Sequence, residues 1–335
     1  MSVDLSTTYL GLKLRNPLVV SACPLTGRLK HIKELELAGA AAVVLPSLYE
    51  EQIEADEMDM HMLHEGTAHS FPEADSYLPV IDDIAVGPKV YLDHIAEAKD
   101  AVSIPVIASL NGSTPGGWTH YAKLMEEAGA DAIELNIYTV ATKVETTSEQ
   151  VINDYMELVD QVRKAVTIPL AVKVAPCFCA IPNLAIRLIE NGADGLVLFN
   201  RFLHLDIDLD KLEVVPDLAL SNPYEARRSI KWIAMLRDQV NASLAASTGV
   251  HSVEDVLKLL LVGADVTMLT SVLHRLGTGH LGVILDDLER WMTDREYASV
   301  KQLKGSLSRE NASNPNAFTR DNYMRTLTKF ASTMG

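Results

Sequence analysis

Four segments of the chain repeat one pattern: AGAAAVVLPS from Ala38, AGADAIELNI from Ala128, NGADGLVLFN from Asn191 and VGADVTMLTS from Val262. In each, a helix end meets a glycine at the expected C-cap position and a short apolar run follows. Four further apolar runs precede or separate them: NPLVVSAC from Asn16, IPVIASLNG from Ile104, IPLAVKVAP from Ile168 and ASLAASTG from Ala242. Most of the eight runs are separated by stretches of helical periodicity, such as GGWTHYAKLMEEAG and EQVINDYMELVDQVRKAV. Continuous apolar runs alternating with amphipathic helices indicate parallel strands buried on both faces. Eight of them indicate an α/β chain closed as a (β/α)8 TIM barrel. The competing architecture is an open doubly wound sheet, but no run followed by a helix carries the dinucleotide-binding GxGxxG.

The barrel is expected over 1–291, with two parts outside the repeat. Residues 49–87, between the second strand and its helix, form a long acidic insertion at the end of the barrel where such folds keep their active sites. Residues 292–335 form a helical, polar extension. Its expected place is the outside of the barrel or the surface of another subunit, which would make a homodimer. The hydrophobic share of 48% and charged share of 22% describe a globular protein with a sizeable core. No apolar run approaches the roughly 20 residues that span a bilayer, and MSVDLSTTYLGLKLRNP lacks the layout of a secretory signal. Three cysteines, Cys23, Cys177 and Cys179, are too few for a disulfide framework, so a reducing, cytoplasmic setting is expected. A net charge of −16 argues against general nucleic-acid binding.

In a barrel, polar residues at the C-terminal ends of the strands face the site. In chain order they are Ser21 and Cys23; Ser47; Ser109 and Asn111; Asn136 and Tyr138; Lys173; Asn200; Ser247, Thr248 and Gly249; Thr270 and Ser271. One Lys and three Asn on neighbouring strands, with Glu134 the one acid among them, form a donor-rich pocket. Such a pocket suits an electron-rich, multiply hydrogen-bonding ring and a small-molecule substrate better than a metal. Glu134, two residues before Asn136 on the same face, is expected to lie deeper and to need a partner below the site. AASTGVHSVEDV leads from strand seven into a helix begun by Ser252 with Asp255 three later, a loose capping box. MLTSVLHR ends strand eight directly at a helix start. Loops after strands seven and eight with helices behind them make a barrel phosphate site.

GLKLRNPLVVSACP, AGADAIELNI, VKVAP and STGVHSVEDVLKLLLVGADVTMLTSVLH occur in the order and spacing of a known family. From about Leu5 to Leu288 the chain resembles the class 1 dihydroorotate dehydrogenase and dihydropyrimidine dehydrogenase flavin-barrel family, as a divergent member. The resemblance implies FMN at the C-terminal mouth, with its phosphate toward strands seven and eight, and oxidoreductase chemistry on CH–CH bonds. It implies that Ser21, Ala22 and Cys23 meet the flavin, with Ser47 and Asn111 among the cofactor-binding positions. By the same resemblance Asn136 is expected to contact flavin and substrate, Lys173 to reach the pyrimidine edge of the flavin, and Asn200 to bind substrate. Ser247, Thr248, Gly249, Thr270 and Ser271 fall where the family holds the phosphate, although it prefers Gly-Gly and Gly-Thr there.

Three departures bear on the reaction. Pro46-Ser47 replaces the family's Lys beside a Ser or Thr, and the substrate loop Asn-Ser-Met-Gly-Leu-Pro has no counterpart in the insertion. Thr139 stands where the family has its catalytic Cys or Ser, and an unassisted hydroxyl is a poor base. Authentic dihydroorotate oxidation is therefore not expected. A small ring or enoyl-type substrate is, with Tyr138 or Thr139 as the local proton donor and Lys173 stabilising the flavin. Two rival readings are a flavin-free phosphate-binding barrel enzyme and a non-catalytic subunit of a redox complex. No metal is expected: Cys177-Phe178-Cys179 reads as a loop, and His61, His64, Glu65 and His69 as a polar loop without HExxH spacing. Met58, Met60 and Met62 in the same insertion read as apolar filling.

Overall fold

Strict two-residue alternation inside each apolar run sends successive side chains to opposite faces of a strand. In the computed structural model, which describes residues 3–55, 87–114, 116–201 and 204–334, the eight runs are eight parallel strands. They are β1 Leu18–Val20, β2 Ala42–Tyr49, β3 Val106–Gly112, β4 Ala132–Ile137, β5 Leu170–Val174, β6 Gly195–Leu198, β7 Ser243–Ser247 and β8 Val266–Leu269. They pair in chain order, and β8 returns to β1 to close the barrel. The helices that pack outside are α1 Leu29–Leu37, α2 Pro88–Ala101, α3 Tyr121–Glu127, α4 Ser148–Ala165, α5 Ile181–Glu190, α6 Ala226–Leu236, α7 Val253–Val262 and α8 His280–Asp294. Outward residues such as Leu18, Val20, Leu135 and Val172 join the large core between sheet and helices. Inward residues form a second, smaller core.

That inner core explains the many alanines. Ala42, Ala132, Ala171 and Ala245 point inward and leave a space too wide for themselves. It is filled by Tyr9, Leu10 and Leu14 of an N-terminal hairpin, Thr7–Tyr9 with Leu12–Leu14. The hairpin is fastened to the barrel floor where Ser243 Oγ accepts from Leu10 N at 2.9 Å and Thr7 Oγ1 donates to Asp265 O at 3.0 Å.

The Gly-Ala-Asp repeat has a structural cause. Each aspartate accepts from the N–H of a residue at the start of the preceding strand: Asp131 from Val106, Asp194 from Leu170 and Asp265 from Leu244, at 2.7 to 2.8 Å. Each also meets a cation from the end of the helix that leads into that strand: Lys99 at 2.7 Å, Arg163 at 3.0 Å and Arg237 at 3.2 Å. The glycines Gly129, Gly192 and Gly263 have φ of +100°, +106° and +117°, the left-handed region that favours glycine. In the first repeat Ala41 has no carboxylate, and Asn16 Oδ1 takes the N–H of Leu18 instead, at 2.9 Å.

Three excursions interrupt the pattern. After Tyr49 the chain makes a helical segment over 50–55; the rest of the acidic insertion, with Met58, Met60, Met62, His61, His64, Glu65 and His69, lies outside the described residues. Between β6 and α6 an antiparallel hairpin, His204–Asp208 with Glu213–Asp217, carries exposed Leu205, Ile207 and Val214; the sequence patterning did not reveal it. The C-terminal extension packs outside the barrel through Lys304, whose ammonium meets Asp265 at 2.5 Å. It ends in a helix, Asp321–Met334, with exposed Tyr323, Met324, Leu327 and Phe330. Among the described residues no helix is long and apolar enough to cross a membrane.

Candidate active site at the barrel mouth

The same alternation that fills the barrel floor with alanine places polar side chains inside its C-terminal mouth. On β4, Glu134 and Asn136 follow Ala132 inward, and on β5 Lys173 follows Ala171. Lys173 lies level with Asn136 and reaches down to Glu134, Nζ to Oε1 3.1 Å, and across to Ser21 Oγ at 3.3 Å. Glu134 therefore finds its partner on the neighbouring strand, and not below the site as expected. Both side chains are buried, at 1% and 8% exposure, and isolated charges at that depth are costly unless paired. Below them, the Tyr9 hydroxyl and Glu134 Oε2 make no hydrogen bond. Burial pushes the Tyr9 phenol well above its ordinary value, and the Glu134 and Asp265 charges add to this.

On β2 the pairing register shifts between Val44 and Ser47, a bulge that accommodates Pro46. Its effect is to turn Ser47 inward, where its hydroxyl meets Ser109 Oγ at 2.8 Å. Opposite, Asn200 Nδ2 donates to Asn136 Oδ1 at 2.7 Å, which joins the ends of β4 and β6. The Cys23 thiol is buried, and burial raises its pKa, so it is a neutral lining group and no base.

The ends of β7 and β8 form a cradle. Thr248 and Gly249 both take left-handed φ, +76° and +79°. A Cβ on Gly249 would lie 2.3 Å from Ala226 N, so no larger residue fits there. Thr248 keeps the glycine-like backbone and turns its hydroxyl away, donating to Phe199 O at 3.2 Å. The Thr270 hydroxyl is buried without a hydrogen bond. Ser271 Oγ accepts from both the N–H and the hydroxyl of Ser221, at 3.0 and 2.9 Å, which leaves its own proton to donate. Ser221 Oγ also meets His251 Nε2 at 3.1 Å. Burial depresses the pKa of both His251 and His274, so each favours the neutral form. The capping box of Ser252 and Asp255 is present as expected.

Two cavities open on this layer. One, about 450 Å³, runs from Ser21, Ala22, Cys23 and Lys173 to Ser247, Thr248, Gly249, Thr270 and Ser271. The other, about 500 Å³, reaches from Cys23 and Lys173 to Ser47, Asn136, Tyr91 and His94. They meet at Lys173, Asn200 and Arg201, which line both. Of the residues singled out in the sequence, Ser109, Asn111, Glu134, Tyr138 and Thr139 line neither cavity. Asn111 lies beside Asn136 in register, and the Thr139 hydroxyl is buried without a hydrogen bond. The sequence reasoning passed over Arg201, Ser221 and His274. Arg201 was within reach of the same rule, since it directly follows Asn200 at a strand end. Among the described residues no three His, Cys, Asp or Glu side chains are grouped to hold a metal. Cys177 and Cys179 are exposed and free, far apart in environment from buried Cys23.

A family model described as dihydroorotate dehydrogenase matches residues 84–292, more than half of the chain. The chain belongs to the dihydroorotate dehydrogenase family. As a member it is a flavin-dependent oxidoreductase of the kind that acts on CH–CH bonds, and it is a divergent one. It is similar to the catalytic subunit of dihydroorotate dehydrogenase B (NAD(+)) from Thermoplasma volcanium, 26% identical over 90% of this chain and 98% of that protein. The catalytic subunit of the same name from Endomicrobium trichonymphae is 22% identical over 92% of this chain and 99% of its own length. The NAD-dependent dihydropyrimidine dehydrogenase subunit PreA of Escherichia coli is 22% identical over 91% of this chain and 77% of its length. Within the family, the matched stretch carries every mouth residue from β3 to β8, while β1 and β2 precede it.

Proposed function

We propose that the chain is an FMN-dependent oxidoreductase acting on a small ring or enoyl-type substrate, and that dihydroorotate is not that substrate. The observation that carries this is the pair of cavities joined at Lys173 and Asn200, one ending in the β7–β8 cradle and the other open toward β2 and β4. The cradle suits a phosphate: Gly249 lets its loop close against the backbone at Ala226, and Thr270 and Ser271 hold hydroxyl protons that no described partner takes. When bound, FMN supplies two-electron chemistry, accepting or giving a hydride at its ring. Ser21, Ala22 and Cys23 form the small-residue wall against which a flat ring can lie. Lys173 spends one N–H on Glu134 and another on Ser21, which leaves one for the ring and holds a positive charge beside it.

Asn136 and Asn200, already bonded to each other, present their remaining amide groups to a substrate on the β2–β4 side. The hydroxyls of Tyr138 and Thr139, just past β4, are the expected proton donors, but neither lines a cavity, so proton supply is assigned to neither. A protein partner is the proposed electron acceptor, in keeping with relatives named as subunits. Anaerobic mixing of the flavin-loaded protein with dihydroorotate tests the substrate exclusion. The bound flavin is expected to stay oxidised over the time in which an active substrate bleaches it, and rapid bleaching by dihydroorotate would overturn the exclusion.

A further inference from the structure

Behind the β7–β8 cradle, side chains from three separate segments stand in line. His251, just before α7, meets Ser221, which precedes α6, at 3.1 Å from Nε2 to Oγ. Ser221 Oγ in turn meets Ser271 Oγ, at the start of the short helix Ser271–Leu276, at 2.9 Å. Ser221 and Ser271 line the cavity that ends in the cradle, and His251 stands behind them. Both ends of the line are fixed through the backbone. Asp255 Oδ2, part of the capping box, accepts from His251 N at 3.0 Å, and Ser221 N donates to Ser271 Oγ at 3.0 Å.

The direction of this line decides what the cradle offers a ligand. Ser221 has one hydroxyl proton and two neighbours to share it with. Were it given to His251, Ser271 would have to donate back to Ser221 and would turn lone pairs toward the cavity. In the structure it goes to Ser271, so Ser271 keeps its own proton for the cavity. Ser221 Oγ must then accept from His251, which puts a proton on Nε2. Burial favours the neutral ring, and one ring proton is enough for this task.

We propose that His251 is a positioning residue whose Nε2–H sets Ser221 and Ser271 to donate toward an oxyanion in the cradle, the phosphate of the cofactor. The inference rests on the flavin-pocket reading above and adds to it a residue outside the cavity wall. The Thr270 hydroxyl, buried without a hydrogen bond and lining the same cavity, points independently to an acceptor there. Donors chained in this way polarise one another, so the ring supports the last hydroxyl without touching the ligand.

The test compares FMN with riboflavin, which has the same ring and no phosphate. Each is titrated into the full-length protein freed of bound flavin, and binding is read from flavin fluorescence. His251→Phe is expected to weaken FMN about tenfold, the worth of one charge-assisted hydrogen bond, and to leave riboflavin unchanged. His251→Gln, whose amide N–H can stand in for Nε2–H, should restore most of that loss. In a Ser271→Ala background, His251→Phe should cost FMN little more, because the line then has no end to direct. A merely structural role would weaken both flavins alike, gain nothing from Gln and add to the loss in Ser271→Ala. Any one of those results, or an unchanged FMN affinity in His251→Phe, would overturn the proposal. Failure of the wild-type protein to take up FMN is read before any variant is made, and it would refute the underlying pocket and this inference with it.

Discussion

At the scale of single residues, the Lys173–Glu134 pair carries the most consequence. Both charges are buried at the centre of the barrel, each the other's main compensation, with Glu134 Oε2 left unsatisfied. Removing one partner strands the other in a low-dielectric interior, which costs about 3–5 kcal/mol, whereas replacing both with apolar groups can be close to neutral. Lys173→Met is therefore expected to lower unfolding stability by about that amount in urea titration, and Lys173→Met combined with Glu134→Leu to recover most of it. A single variant as stable as the wild type would mean that the pair is solvated. Both variants should hold flavin poorly, since each lacks the one N–H of Lys173 left for the ring.

At the scale of elements, the Gly-Ala-Asp repeat clamps the barrel floor. Each glycine lies over the stem of the cation that its neighbouring aspartate binds. A Cβ on Gly192 would sit 2.4 Å from Arg163 Cγ, and one on Gly129 a comfortable 3.7 Å from Lys99 Cγ. Gly129→Ala should cost only the left-handed conformation, about 1–2 kcal/mol. Gly192→Ala should cost that and an overpacking penalty of about 1–3 kcal/mol more, because moving Arg163 breaks its pairing with Asp194. Equal shifts in the urea midpoint would contradict the steric difference.

The repeat was legible in the sequence because glycine caps and continuous apolar runs are local properties, and so were the barrel and most of its mouth. What a pair of residues on different strands does was not legible. The reach of Lys173 to Glu134 depends on register, and the inward turn of Ser47 depends on a bulge that Pro46 conceals. Likewise the alternation places Asn111 inward, yet it lines neither cavity. The 204–217 hairpin escaped notice because its apolar residues alternate with acids and stay exposed, so no buried run marks it.

At the scale of the whole molecule, an acidic chain presents a mouth whose described lining is free of carboxylates. The charge balance is arranged in depth, with acids behind the walls and donors in front, an arrangement suited to the anionic cofactor proposed above. The proposed function depends on a flavin being held there through Ser247–Gly249, Thr270 and Ser271. The most direct test is the FMN content of the purified full-length protein, read from its visible absorbance and from the cofactor released on denaturation, with and without prior incubation in FMN. One FMN per chain, lost on replacing Gly249 by Val, is the expected result. A colourless protein that takes up no FMN after incubation would contradict it.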